Sequence, residues 1–366
     1  MKKVLNIISD HNIGGAGKCV LIYSEHYNKE KFQLFVAVPK GSKLIPELLK
    51  RNVNYYEVEG IADKSLSLKG IFQLKKLIKT LRPDIVHTHA SMSGRIAAKL
   101  CGVKKIIYTL HCVYEPSNLM KSFVGKILNK IVSSLFSTDI IAVAQAAADN
   151  LIKVGINPDK INVVLNGITP LKTLSDEEII TQRNRFGLKE GEKAVSIIAR
   201  LEPVKGHKTF IDCANILKGK GIKFIIAGNG SYEAEIKEYA KETNSDVIFT
   251  GFISDPGNLI AISSLSANAS YGTEATSISL LEGMSLGVPA VVSNYGGNPG
   301  VIKDGINGYL FPIHNAEIMA EKIEKLIFDE KMYLSMKENS LKIFNDTFTA
   351  EKYAENIEKV YDSGDK

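Results

Sequence analysis

Two carboxylates, Glu274 and Glu282, bracket the segment Ala275-Thr276-Ser277-Ile278-Ser279-Leu280-Leu281. An apolar run at 264–269 precedes Glu274, and a helical pattern follows Ser277, a residue type suited to an N-cap. The amides of Thr276, Ser277, Ile278 and Ser279 would then open a helix and face an anion, reinforced by the helix dipole. Two carboxylates beside a phosphate site make chemical sense if they hold hydroxyls, Glu274 those of a sugar and Glu282 those of a ribose. The plainer alternatives are helix-start capping by Glu274 and a solvated face for Glu282. Upstream, Arg200-Leu201-Glu202-Pro203-Val204-Lys205-Gly206 follows another apolar run. Two fixed cations in such a loop suit a diphosphate, each charge pair at ~4 Å contributing about 4 kcal/mol at an effective dielectric near 20. Their plain alternative is a pair of solvated surface charges.

Other candidates also sit after apolar runs. Gly228 and Gly251-Phe252 mark turns where a ligand can approach the backbone. Ile13-Gly14-Gly15-Ala16-Gly17-Lys18 fails two nucleotide fingerprints. Asn12 and Cys19 occupy the Gly and Ser/Thr positions of a P-loop, and Val20 stands where a dinucleotide turn from Gly15 needs glycine. Gly14 and Gly15 still offer bare amides and a helix start to an anion. His87 and His89 share one face of a strand, and His111 follows the next run. Three histidines raise the question of zinc, but the spacing matches no known site and no carboxylate completes a ligand set, so no metal is expected. His111 reads as an active-site rim residue and His87 as a satisfied buried histidine.

The elements that carry these residues alternate in type. Apolar runs at 4–8, 34–38, 85–86, 106–110, 140–143 and 163–165 read as strands of a first half. Runs at 194–199, 224–227, 247–250, 264–269 and 290–293 read as strands of a second. Helical patterns at 68–81, 209–218 and 232–241 lie between them. Val/Ile/Ala-rich runs separated by helices indicate parallel sheets buried on both faces, with ligands at the strand carboxyl ends. The expectation is an α/β protein of two doubly wound, Rossmann-like domains. The boundary falls at Asn166-Gly167-Ile168-Thr169-Pro170. This gives an acceptor-side domain at 1–168 and a nucleotide-sugar domain at 169–347, with a final helix at 348–366 able to pack back on the first.

Length and composition agree with two soluble domains. The chain has 366 residues, 45% hydrophobic and 23% charged, with a net charge of +6. The opening Met1-Lys2-Lys3 and its short apolar run end at Asp10 without a cleavage site, so a first strand is expected rather than a signal peptide. No run is long enough to span a membrane. Four cysteines without C-x-x-C spacing fit a reducing, cytoplasmic compartment. The charge is uneven: residues 1–170 carry 24 Lys and Arg against 12 Asp and Glu, and residues 171–366 carry 22 against 28.

Taken in order, these segments resemble the retaining glycosyltransferases of family 4. The resemblance rests on Asn12-Ile13-Gly14-Gly15, Asp84-Ile85-Val86-His87-Thr88-His89, Thr109-Leu110-His111 and Asn166-Gly167-Ile168. It continues with Arg200 and Lys205-Gly206, Glu274 with Glu282, Gly287-Val288-Pro289, and Asp304-Gly305 before Asn307-Gly308. It covers nearly the whole chain and implies the GT-B fold, two Rossmann-like domains facing across a cleft. It further implies that Glu282 binds the donor ribose, Glu274 contacts donor-sugar hydroxyls, and Arg200 and Lys205 neutralise the diphosphate. Gly14 and Gly15 would approach the diphosphate and acceptor. His111 would lie beside the sugar, and Gly251-Phe252 would cradle the base through backbone. No cofactor is implied beyond the substrate, a nucleotide diphosphate sugar, UDP-linked by expectation. Metal is replaced by cationic side chains. There are departures: Ala275-Thr276-Ser277 stands where Gly-Phe-Pro is frequent, Gly300 where a Glu is usual, and Thr169 where Asp is common. These leave the donor sugar open.

Between 119 and 136, apolar pairs recur at helical spacing, with Lys121, Lys126 and Lys130 off the stripe. The favoured expectation is a helix packed on its own sheet; the alternative is peripheral docking on an anionic membrane, the inner face of the plasma membrane for a cytoplasmic enzyme. His87 and His89 are placed on the acceptor side. The expected activity is transfer of a hexosyl or N-acetylhexosaminyl unit to a glycan or lipid-linked acceptor. Alternatives are a non-catalytic nucleotide-sugar-binding partner of another transferase, a UDP-sugar epimerase, or an anion-binding surface protein. A nucleic-acid partner is not expected.

Overall fold

The structure is a computed structural model that describes residues 1–364. The chain forms two compact units, one of residues 1–167 with the returning segment from 350, the other Ile168–Thr349. The first holds a seven-stranded sheet: β1 (Lys2–Ile8), β2 (Phe32–Pro39), β3 (Asn54–Val58), β4 (Ile85–His89), β5 (Lys105–Leu110), β6 (Asp139–Ala142) and β7 (Ile161–Val163). The second holds six strands: β8 (Lys193–Ile198), β9 (Ile222–Ala227), β10 (Ile248–Gly251), β11 (Leu265–Asn268), β12 (Ala290–Ser293) and β13 (Gly308–Phe311).

Strand order is β3-β2-β1-β4-β5-β6-β7 in the first unit and β10-β9-β8-β11-β12-β13 in the second. All pairs are parallel. Both orders are doubly wound. The chain reverses direction across the sheet between β1 and β4, and again between β8 and β11, and a crevice opens at such switch points. The central strands are apolar on both faces because helices cover both. In the first unit, Leu5, Ile7, Val86 and Ile106 face one core, while Val4, Ile8, Val36 and Ile107 face the other.

Two strands lie outside the apolar runs read from the sequence. β3 is an edge strand with only Val58 buried, and β13 opens on a glycine at the opposite edge of the second sheet. The helix Leu68–Leu81 coincides with its sequence pattern. Ser67 caps it by accepting from the Gly70 amide, it buries Gly70, Leu74 and Ile78, and it stops at left-handed Arg82. The final helix, Ala350–Asp362, lays Tyr353, Ala354, Ile357, Val360 and Tyr361 into the core of the first unit. Its apolar residues recur at three- and four-residue spacing, one stripe along one face.

The segment 119–136 corrects an expectation. It is two helices, Asn118–Lys121 and Phe123–Phe136, broken at Ser122. The second does not pack its apolar stripe on the sheet. Only Gly125 and Ser133 are buried, whereas Phe123, Val124, Ile127, Leu128, Ile131 and Leu135 are exposed. Its small residues face the protein and its large apolar ones face outward. No helix among the described residues is long and apolar enough to cross a membrane.

Candidate active site

In the second unit the candidate residues gather at the carboxyl ends of β8 and β11. Arg200 follows β8 on an exposed loop, and its guanidinium has no partner among the described residues. The chain then makes a 3-10 turn, Pro203–Lys205, that ends on Gly206 at φ 72°. A side chain on Gly206 would strike the Ala269 carbonyl, so the close approach of this loop to the chain just beyond β11 requires glycine. That approach delivers Lys205. Its Nζ donates to Glu274 Oε2 at 2.8 Å, with both side chains largely buried.

Glu274 is held from three sides. Besides Lys205, its Oε2 accepts from Ser270 Oγ at 2.9 Å and from Asn268 Nδ2 at 3.2 Å. Asn268 is oriented in turn, its Oδ1 accepting from the Ser270 amide at 3.0 Å and from Asn298 Nδ2 at 3.4 Å. Asn298 also donates to the Ser293 carbonyl at 3.1 Å, and Ser293 Oγ donates to the Ser270 carbonyl at 2.5 Å. The Glu274 carbonyl accepts from the Gly297 amide at 3.1 Å. Thus one carboxylate oxygen is saturated, and Oε1 takes no hydrogen bond among the described residues. A carboxylate so placed is ready to accept from a hydroxyl. Thr273, just before it, has φ 55°, a strained position for a β-branched residue.

Four residues on, Ser277 is the N-cap of the helix Ile278–Ser285, but no side chain caps the helix. Ser277 Oγ pairs with Ser279 Oγ at 3.0 Å, and Ser279 Oγ reaches the Ile198 carbonyl at 3.1 Å, tying this helix to the end of β8. The first amides, including those of Ile278 and Ser279, remain as donors for an anion. Thr276 is half-buried at the loop end, and Glu282 half-buried one turn into the helix. Gly228 closes β9 at φ 144°, its amide donating to the Gly251 carbonyl at 2.9 Å. Phe252 is 71% exposed and lines an open pocket of about 590 Å³ with Arg185, Phe249 and Thr250.

In the first unit Gly14 is the N-cap and Gly15 the first residue of the helix Gly15–His26, again without a side-chain cap. The histidines meet at the ends of β4 and β5. His89 Nδ1 lies 2.8 Å from His111 Nε2, and His89 Nε2 lies 3.4 Å from Asn6 Oδ1. His87 is bonded at both nitrogens, to Tyr361 Oη at 2.8 Å and Thr109 Oγ1 at 2.6 Å. His87 and His89 are buried, so neither ring is open to an acceptor; His111 is the partly exposed member. Burial lowers all three pKa values, His87 to about 3 and His111 to about 4, so the rings are neutral near pH 7. Among the described residues no cluster of three or more His, Cys, Asp or Glu is arranged to hold a metal ion.

The sequence reading missed Asn268, Ser270, Ser293 and Asn298 around Glu274, and Asn6 and Tyr361 around the histidines. A signal existed for the two strand asparagines. Asn6 and Asn268 are each a lone amide in an apolar strand, and a buried amide must find partners.

Comparison with known proteins places this arrangement. Residues 178–343 match the family described as glycosyl transferases group 1, and residues 13–170 match glycosyltransferase family 4. An Escherichia coli UDP-Gal:alpha-D-GlcNAc-diphosphoundecaprenol alpha-1,3-galactosyltransferase is 27% identical over 311 residues, 80% of this chain and 79% of that one. A Campylobacter jejuni N,N'-diacetylbacillosaminyl-diphospho-undecaprenol alpha-1,3-N-acetylgalactosaminyltransferase is 24% identical over 91% of each chain. Among solved structures, Anabaena Alr3699/HepE in complex with UDP superposes with a TM-score of 0.86 at 21% identity, covering 99% of this chain and 100% of that one. With its two doubly wound sheets and the matches spanning both units, the chain belongs to glycosyltransferase family 4, with the GT-B fold.

Proposed function

We propose that this enzyme transfers a hexosyl or N-acetylhexosaminyl unit from a UDP-sugar to a lipid-linked glycan acceptor, with retention of configuration. The observation that carries this reading is Glu274, clamped through Oε2 by Lys205, Ser270 and Asn268, with Oε1 open beside an uncapped helix start. Oε1 accepts from a sugar hydroxyl. The amides at Ile278 and Ser279, together with Arg200 and Lys205, receive the diphosphate, and Glu282 takes the ribose hydroxyls. The base lies against the Gly228 and Gly251-Phe252 turns.

The bond between the anomeric carbon and the β-phosphate oxygen breaks, and its electron pair stays on that oxygen. The acceptor hydroxyl oxygen bonds to the anomeric carbon on the same face and passes its proton to the departing phosphate. Arg200 and Lys205 offset the charge that grows there, so no enzymic nucleophile and no metal is required. The names of the Escherichia coli and Campylobacter relatives support the lipid-linked acceptor. The outward apolar face of the helix Phe123–Phe136, flanked by exposed Lys126 and Lys130, supports peripheral docking on an anionic cytoplasmic membrane surface.

A panel of UDP-hexoses and UDP-N-acetylhexosamines, offered with an undecaprenyl-diphosphate-linked sugar, tests the reading. Product whose new linkage has the donor's anomeric configuration supports it. Turnover without an acceptor to an epimeric UDP-sugar, or an inverted linkage, would overturn it.

A further inference from the structure

In the first unit, the helix Met92–Leu100 carries a cation that no acid answers. The guanidinium of Arg95 lies 4.3 Å over the ring of Tyr108 on β5. Its Nη1 donates to Ser137 Oγ at 3.5 Å, a weak contact with the cap of the helix Phe123–Phe136. No carboxylate pairs with Arg95 among the described residues, and neither helix contains an Asp or Glu. Asp139, the acid nearest Ser137 in the chain, is taken by Lys105 at 2.9 Å. Burial accordingly lowers the Arg95 pKa, and a ring face offsets a desolvated guanidinium only in part. The donors around it are idle. Arg95 Nε and Ser133 Oγ are buried without a partner. Ser133, 5% exposed, stands one turn before Ser137 on the same side of its helix. Arg95 Nη2 and Tyr108 Oη make no hydrogen bond among the described residues either, but they retain accessible surface. Burial pushes the Tyr108 hydroxyl up to about 12, so it keeps its proton near pH 7. Buried polar groups ordinarily find partners, and this set lacks an acceptor.

We infer that Arg95, Tyr108 and Ser133 form a binding site for a phosphate-type oxyanion where these two helices meet. Phosphate oxygens only accept, and the Nε–Nη2 edge of the guanidinium matches two of them. Nη2 and Tyr108 Oη are the mouth of the site, with Nε and Ser133 Oγ behind them. The helix Phe123–Phe136 forms one wall and turns its large apolar residues outward, so a lipid headgroup and a free phosphate are the two sources of such an oxyanion. The site lies apart from the residues assigned to the donor and does not rest on their roles.

The test is proton–nitrogen NMR on the full-length protein with 15N-labelled arginine at pH 7, following the Arg95 Nε–H signal, which is assigned by its loss in Arg95→Lys. Inorganic phosphate is titrated in one arm, and dihexanoyl phosphatidylglycerol, below its micelle concentration, in the other. The signal is expected to shift along a saturating curve in at least one arm. Half-saturation at the lower concentration of phosphatidylglycerol assigns the site to a lipid headgroup, and at the lower concentration of phosphate to a free anion. Ser133→Ala should raise the half-saturating concentration about tenfold, the weight of one hydrogen bond to a charged group. A signal that neither ligand moves, or that drifts without saturating, means that water alone meets these donors and overturns the inference. A curve indifferent to Ser133→Ala overturns it as well, and the wild-type titrations decide if that variant fails to fold.

Discussion

At residue scale, the decisive contrast is between Lys205 and Arg200. Lys205 is neutralised by Glu274 before any substrate arrives, whereas Arg200 is exposed and unpaired among the described residues. Lys205→Ala therefore removes a charge and also releases Glu274, while Arg200→Ala removes a charge alone. Lys205→Ala and Glu274→Ala should each lower kcat by about a hundredfold or more, in the range of a lost preorganised electrostatic contact. Arg200→Ala should mainly weaken donor binding. Steady-state kinetics of the three variants check this, and full activity in Lys205→Ala and Glu274→Ala would overturn the assigned roles. Asn268→Leu, a residue that meets Glu274 only at its bound oxygen, should lower kcat by roughly tenfold. The neutral histidines add a pH dependence. Unfolded His87 and His111 bind a proton near pH 6.5, but the folded protein takes them up only near pH 3 and 4. The unfolded state thus binds more protons throughout that window. Stability should fall as pH drops below about 6.5, by up to about 1.4 kcal/mol per pH unit for each histidine. Denaturant melts between pH 7 and 5 read the slope.

At the scale of elements, loops under constraint aim the site. Gly206 and Gly296 both lie at positive φ, and a side chain on either would strike a carbonyl, that of Ala269 or that of Glu274. Thr273 occupies the same backbone region without glycine's freedom. Thr273→Gly should relieve about 1 kcal/mol of strain and raise the melting temperature by a few degrees. It should also lower turnover, because the loop that holds Glu274 gains freedom. A thermal melt paired with a rate measurement checks both signs. The helix Phe123–Phe136 shows what periodicity conveys and what it does not. Its stripe was legible at 119–136, but the side facing the protein was not. Apolar spacing alone favours burial, yet the contact is made by Gly125 and Ser133, whose small side chains allow close approach. Reversing Lys126 and Lys130 to Glu should cut partition onto anionic vesicles at least tenfold, at about 1 kcal/mol per basic residue. Neutral vesicles should bind the wild type weakly. Co-sedimentation measures both, and equal binding to the two lipid types would overturn anionic docking.

At the scale of the whole molecule, the chain builds the same strand order twice, and each sheet presents its candidate residues at the switch point. The final helix joins the core of the first unit across more than three hundred residues of sequence. Its Tyr361 is 1% exposed and packs edge-on against Tyr23, Phe32 and His87. Tyr361→Ala should cost about 3–5 kcal/mol by leaving a cavity. Hydrogen exchange should show the loss in β1, β2 and the helix Gly15–His26, with β8–β13 little changed. Counting the returned segment, the first unit carries 27 basic against 17 acidic side chains and the second 19 against 23. The basic surplus stays with the unit that bears the outward apolar helix, while Arg200 and Lys205 sit in the acidic unit.

The sequence by itself determined the parallel α/β rhythm, the family and the loops that bear Arg200, Lys205, Glu274 and the histidines. These are written in local signals: continuous apolar runs, glycine turns at strand ends, and residue types with fixed chemistry. Edge strand β3 carried no such run, because only Val58 of it is buried, whereas β13 is a short buried run opened by a glycine. The tertiary structure alone decided that Lys205 lies on Glu274, that Asn268 and Ser270 hold it there, that Tyr361 bonds His87, and that His89 meets both Asn6 and His111. A hydrogen bond depends on atoms within about 3 Å. Residues 69 apart, as Lys205 and Glu274 are, or 274 apart, as His87 and Tyr361 are, come within that distance only when the sheets and the returning helix have packed.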